Sequence, residues 1–152
     1  MNKIVFSLLL ISILTSCAST GDFSGVKGKD WKLIEVQIND AFNREVLFDR
    51  KVLSKENAGK FFTIKFDEEN ASGTGAPNTY SAPYSLGEEP QALSIMPARA
   101  TFMASLFLPE KLRENDYFRF IQNAYKWEIA EGKFVLYSKE EDGREIKLIF
   151  EK

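Results

Sequence analysis

The residues of this 152-residue chain with reactive side chains are few, and their spacing is informative. Cys17 is the only cysteine, and there is no histidine at all. That absence removes the commonest general base, the commonest zinc ligand and every histidine-based nucleophile relay. Ser24 and Lys27 have the Ser-x-x-Lys spacing of some acyl-transfer enzymes. They lie in a polar, Gly-rich stretch with nothing to desolvate the lysine into a base, so the spacing reads as chance. Gly73-Thr74-Gly75 has the look of a phosphate loop, but no Gly-Lys-Ser/Thr follows, and a tight loop that needs glycine explains it better. The acidic cluster Asp67-Glu68-Glu69-Asn70 fails as a calcium loop, since the sixth position is Ser72 and the twelfth Asn78. It reads as a solvated hairpin turn, as do Glu88-Glu89 and Glu140-Glu141-Asp142. A carboxylate pair for glycoside hydrolysis depends on a separation in space that spacing along the chain does not set. No cofactor, metal or nucleic acid is called for.

Cys17 has a context of its own. Lys3 precedes an apolar run from Ile4 to Leu14, broken only by Ser7 and Ser12. The run is too short for a bilayer core, which takes about 20 apolar residues in a helix. A basic start, a compact apolar stretch and small residues make an export signal. Leu14-Thr15-Ser16-Cys17 is similar to the lipobox of bacterial lipoproteins. By that resemblance residues 1–16 are a cleaved signal peptide, and Cys17 is lipid-modified as the first mature residue. Each buried methylene contributes about 0.8 kcal/mol, so two or three acyl chains would hold the protein on a membrane for its lifetime. Ala18 follows the cysteine, with no Asp there to signal inner-membrane retention, which favours the periplasmic face of the outer membrane. Losing Lys3 takes the formal charge from −2 to −3, too mild to point to nucleic acid or an anionic surface.

The rest reads as one domain. Residues 17–29 form the lipidated N-terminus and a flexible Gly/Ser/Lys-rich tether, and residues 30–152 the folded part. Alternation places Ile34, Val36 and Ile38 on one face of a first strand and Phe62, Ile64 and Phe66 on another. Tyr125, Trp127 and Ile129 alternate with Lys126 and Glu128, Phe134 to Ser138 is a short apolar strand, and Ile146, Leu148 and Phe150 form a last one. Gly-containing turns at Ala130–Lys133 and Glu141–Arg144 join these three into a meander. Ala71 to Leu86 is expected to be a loop with one or two short extended pieces, and Ala92 to Met96 a strand stopped by Pro97. Pro109 to Ala124 is the helix candidate, with Leu112, Phe118 and Ile121 on one face. The predicted class is α+β, mainly antiparallel β: a curved sheet or cracked barrel with one inserted helix.

The middle of the chain resembles a known family. Ser72-Gly73-Thr74-Gly75-Ala76-Pro77-Asn78-Thr79-Tyr80, followed by Tyr84, is similar to the Gly-x-Gly-x-x-Asn-x-Tyr-x-x-x-Tyr stretch of the META domain, a family that includes heat-inducible bacterial envelope lipoproteins. Thr101-Phe102-Met103-Ala104 resembles its Thr-Arg-Met-Ala signature, and Trp31-Lys32-Leu33 its usual opening. Two departures stand out. Pro77 and Ser105 occupy positions where many members carry cysteines, and Phe102 replaces the usual arginine. The resemblance implies a small cracked-barrel β fold with one helix and brings no catalytic mechanism. It also implies roles in envelope stress or secretion; a similar barrel occurs in secretion pilot lipoproteins that bind acyl chains or partner peptides. The candidate site residues are Cys17 for lipidation and Asn78, Tyr80, Tyr84, Thr101 and Met103, which either fill a core edge or line a groove at the open side of the barrel. The expected function is a membrane-anchored, non-catalytic domain binding a partner protein, peptide or apolar ligand. The competing readings are a carboxylate-based hydrolase or transferase of the envelope, and a structural spacer.

Overall fold

A computed structural model describes residues 22–39, 43–53, 59–104 and 111–152. The expected signal peptide, Cys17, Pro109 and Ser105 lie outside the described residues. The chain runs β1 (Trp31–Asn39), β2 (Arg44–Asp49), β3 (Thr63–Phe66), β4 (Asn70–Thr74), β5 (Thr79–Leu86), β6 (Leu93–Ile95), β7 (Arg99–Ala100), α1 (Glu114–Gln122), β8 (Ala124–Ala130), β9 (Lys133–Lys139) and β10 (Glu145–Glu151). All pairings are antiparallel, in the order β6-β5-β4-β3-β1-β10-β9-β8, with β2 beside β1 and β7 beside β5. This is the mainly antiparallel α+β fold with one helix that the patterning predicts. The sheet is not closed. Among the described residues its two ends are joined by a bridge between Ala92 and Lys126 and a hydrogen bond from the Trp127 N–H to the Gln91 carbonyl at 2.9 Å.

The C-terminal meander forms as its alternation requires, with Phe134, Leu136, Ile146, Leu148 and Phe150 fully buried. Glu131 and Gly132 both have positive φ (52° and 75°), the two-residue turn geometry that matches strand twist. Two bulges move side chains off their expected faces. A register shift between Leu33 and Glu35 in β1 buries Leu33 and Val36 together, where simple alternation puts Ile34, Val36 and Ile38 on one face. A shift between Ala124 and Lys126 buries Trp127 but leaves Tyr125 outside, where its hydroxyl donates to Glu145 at 2.7 Å.

Three further expectations need correcting. The flexible tether does not extend to Lys29. Asp22 caps a 3-10 turn over Phe23–Gly25, Phe23 and Val26 are buried, and the Trp31 indole N–H donates to the Val26 carbonyl at 3.0 Å. A Gly/Ser/Lys-rich stretch can still be ordered when two apolar residues in it find a core. The Ala71–Leu86 region is two full strands, β4 and β5, because its neighbours supply the ladder that its composition does not advertise. The helix begins at Glu114, and its buried residues are Tyr117, Phe120 and Ile121. Leu112 is buried just before it, and Phe118 is only partly covered.

Between β2 and β3 the ladder beside β1 is interrupted, and Arg50 fills the gap. Its guanidinium donates to the Leu33 carbonyl at 2.5 Å, to that of Phe61 at 2.7 Å and to that of Phe62 at 3.2 Å. Phe62 has φ of 54°, unusual for a bulky side chain, and is held there by complete burial and these backbone bonds.

Candidate functional site

Asn78 organises the region where β5 begins. Its side-chain oxygen accepts from the Met103 N–H at 2.7 Å and from the Thr101 hydroxyl at 2.9 Å. Its amide nitrogen donates to the Met103 carbonyl at 3.1 Å and to Glu114 Oε2 at 2.6 Å. The carboxamide thus pairs with both backbone groups of Met103, as a further rung of the β5–β7 ladder would. Thr101 completes the ladder, donating its N–H to the Thr79 carbonyl at 3.0 Å while its hydroxyl accepts from the Thr79 N–H at 3.1 Å.

Glu114, the first residue of α1, closes the arrangement. Oε1 accepts from the Ala76 N–H at 2.5 Å and the Asn78 N–H at 2.6 Å. The loop that offers these donors contains the cis Ala76–Pro77 peptide. Glycine is needed on either side of Thr74: a Cβ on Gly73 would lie 2.0 Å from the Thr63 carbonyl oxygen, and one on Gly75 would lie 2.5 Å from Glu114 Oε1.

Tyr80 points inward from the same strand. Its hydroxyl and that of Tyr117 both donate to the Thr63 carbonyl, at 3.0 and 2.9 Å, with 3.4 Å between them. Burial pushes both hydroxyls well above the usual tyrosine range. They act as neutral donors that fasten β5 and α1 to β3.

A groove of about 380 Å³ opens outside this polar cluster, lined by Asn78, Thr101, Phe102, Met103, Glu114 and Phe118 among others. Phe102 is fully exposed and Met103 half exposed. Glu114 is the one ionisable residue among the described residues of its lining, and both its oxygens are engaged by N–H donors. Among the described residues no group of three His, Cys, Asp or Glu side chains is placed to hold a metal ion. Nothing in this arrangement indicates catalysis.

The structure therefore brings Asn78, Thr101 and Met103 together at the groove and sets Tyr80 beneath them. Tyr84 is elsewhere. It sits towards the other end of β5, packed against Phe66 and Phe23, and its hydroxyl donates to the Asp67 carbonyl at 2.8 Å. Sequence reading missed Glu114 as a member of the cluster. A glutamate in the first helical turn is already explained by the helix dipole, and its bond to a loop 36 residues away has no local signal.

The family model described as META domain matches residues 24–150. Among solved structures, an NMR structure of a protein from Burkholderia xenovorans is similar over 100% of this chain and 99% of that one, with a TM-score of 0.58 and 16% identity. A crystal structure of a DUF4847 family protein from Bacteroides vulgatus is similar over 84% of this chain and 96% of that one, with a TM-score of 0.54 and 12% identity. At these identities the likeness is one of fold. Among curated proteins none matches.

Proposed function

This chain belongs to the META domain family, and on that footing we propose that it is a lipid-anchored envelope protein whose domain binds a partner protein, peptide or apolar ligand without chemistry. Cys17 is the anchor, at the periplasmic face of the outer membrane, and the service is in envelope stress or secretion. The observation that carries the binding reading is the groove beside Phe102, Met103 and Phe118. An exposed aromatic and an exposed methionine supply contact area, and methionine adapts its shape to varied apolar partners. The carboxylate in the lining accepts from three N–H groups of the loop and Asn78, a structural use that leaves it poorly placed to shuttle protons.

Two measurements test the proposal. Cells fed a labelled fatty acid should incorporate it into the full chain and not into the Cys17→Ser variant, which should leave the membrane fraction. A photo-crosslinking residue at Phe102 should trap a discrete adduct in intact cells, and Met103→Ser should weaken it. Turnover of an envelope substrate that is abolished by Glu114→Gln would overturn the non-catalytic reading.

A further inference from the structure

The two ends of β5 differ in what they approach. At one end Tyr80 pairs with Ala100, and the chain passes on to Thr101, Phe102 and the groove. At the other end Leu86 pairs with Leu93, about 20 Å away at strand rise. The described chain enters the fold at that second end. Phe23 is clamped there by the rings of Phe66, Tyr84 and Trp127, at centroid distances of 5.2, 5.6 and 4.9 Å. Gly28 donates its N–H to the Phe66 carbonyl at 2.8 Å, so the entering segment is bonded as well as packed.

This shortens the leash. Cys17 and Phe23 are six peptide links apart, a covalent reach of at most about 22 Å, against roughly 45 Å had the fold begun at Asp30. The surface around the entry point includes half-exposed Leu86 and a hollow of about 300 Å³ that Phe23, Leu86, Pro90 and Trp127 help to line. Its charges are net acidic: Lys27 is paired to Glu68 at 2.8 Å, and Glu88 and Glu89 border the hollow. Such a surface suits the headgroup zone of a zwitterionic bilayer better than an anionic one.

We propose that the Phe23–Leu86 end of the domain faces the membrane that holds Cys17, so the Phe102 groove opens to the aqueous side and takes a protein or peptide partner from there. This rests on the anchoring and groove reading above, and it names where the partner comes from.

The test uses the full lipidated chain, whose Cys17 sulfur is blocked, so that a single introduced cysteine carries the probe. Leu86→Cys and Phe102→Cys, both at exposed positions, are labelled with a small fluorophore in zwitterionic vesicles containing headgroup-quencher lipids. The Leu86 probe should lose fluorescence and the Phe102 probe should keep it. Equal quenching, or stronger quenching at Phe102, overturns the orientation. Mass measurement of the same samples reports lipidation. A chain without acyl groups would fail the anchor itself, an outcome distinct from a lipidated chain with the wrong end down.

Discussion

The two ends of β5 are built from different physics. The Asn78 end is a polar cluster in which one carboxamide, one hydroxyl and one carboxylate substitute for missing backbone partners. The Tyr84 end is an aromatic clamp in which Phe23, Phe66, Tyr84 and Trp127 meet edge to face or tilted. Hydrogen bonds depend on geometry and lose most when one partner is removed, whereas ring packing loses in proportion to the volume deleted. The first end can therefore hold an exposed groove open at fixed shape, and the second can secure the chain where it enters.

The comparison is broken most severely by Phe23→Ala. Deleting a ring with three aromatic neighbours should cost about 3–5 kcal/mol, read as a drop in the urea midpoint, and should release the entry segment to proteolysis. Asn78→Ala should cost about 2–3 kcal/mol, because it strands the Met103 N–H and Glu114 Oε2 without their side-chain partner. Asn78→Asp sharpens the point. It sets a second carboxylate against Glu114, so its loss at pH 7 should exceed that of the alanine variant and ease as the pH falls towards the unfolded carboxylate value of about 4.

Tyr80→Phe should cost about 1 kcal/mol at neutral pH, since Tyr117 still donates to the Thr63 carbonyl. Burial raises both hydroxyls in the folded state, so the folded chain keeps protons that the unfolded chain releases. That stability is fully present below the unfolded value of about 10 and is lost as pH rises past it. Urea midpoints measured from pH 8 to pH 11 should fall only at the alkaline end, and less in the Tyr80→Phe, Tyr117→Phe double variant. The smallest effect belongs to Phe102→Ser. Its side chain is fully exposed, and stability should change by less than about 0.5 kcal/mol while partner capture is lost. A large stability loss there would mean that the ring is structural.

Much of the aromatic end was readable from pattern. The alternation of Phe62, Ile64 and Phe66, and of Ile146, Leu148 and Phe150, marks buried faces because strand geometry turns a period of two into a side of the sheet. Phe23 was not readable, since one phenylalanine among Gly, Ser and Lys has no period. The polar end was legible only as a set of residue types. Asn78, Tyr80, Thr101 and Met103 stand out by resemblance, but their partners Glu114, Thr63 and Tyr117 are reached only through long-range contacts. Bulges at Leu33/Glu35 and Ala124/Lys126 are likewise invisible, because a one-residue shift leaves the composition unchanged while it flips the faces.

By itself, the order of residues determined the class of the fold, its single helix and its terminal meander, because periodicity and turn chemistry are local properties. It also determined that no histidine is available and that no disulfide can close within the chain, since the chain contains no histidine and a single cysteine. Tertiary structure alone decided that the sheet stays open, that Tyr84 belongs to the clamp and not to the groove, and that Glu114 is committed to the Asn78 loop. Each of these depends on where distant segments meet, and that is settled by packing the whole core at once.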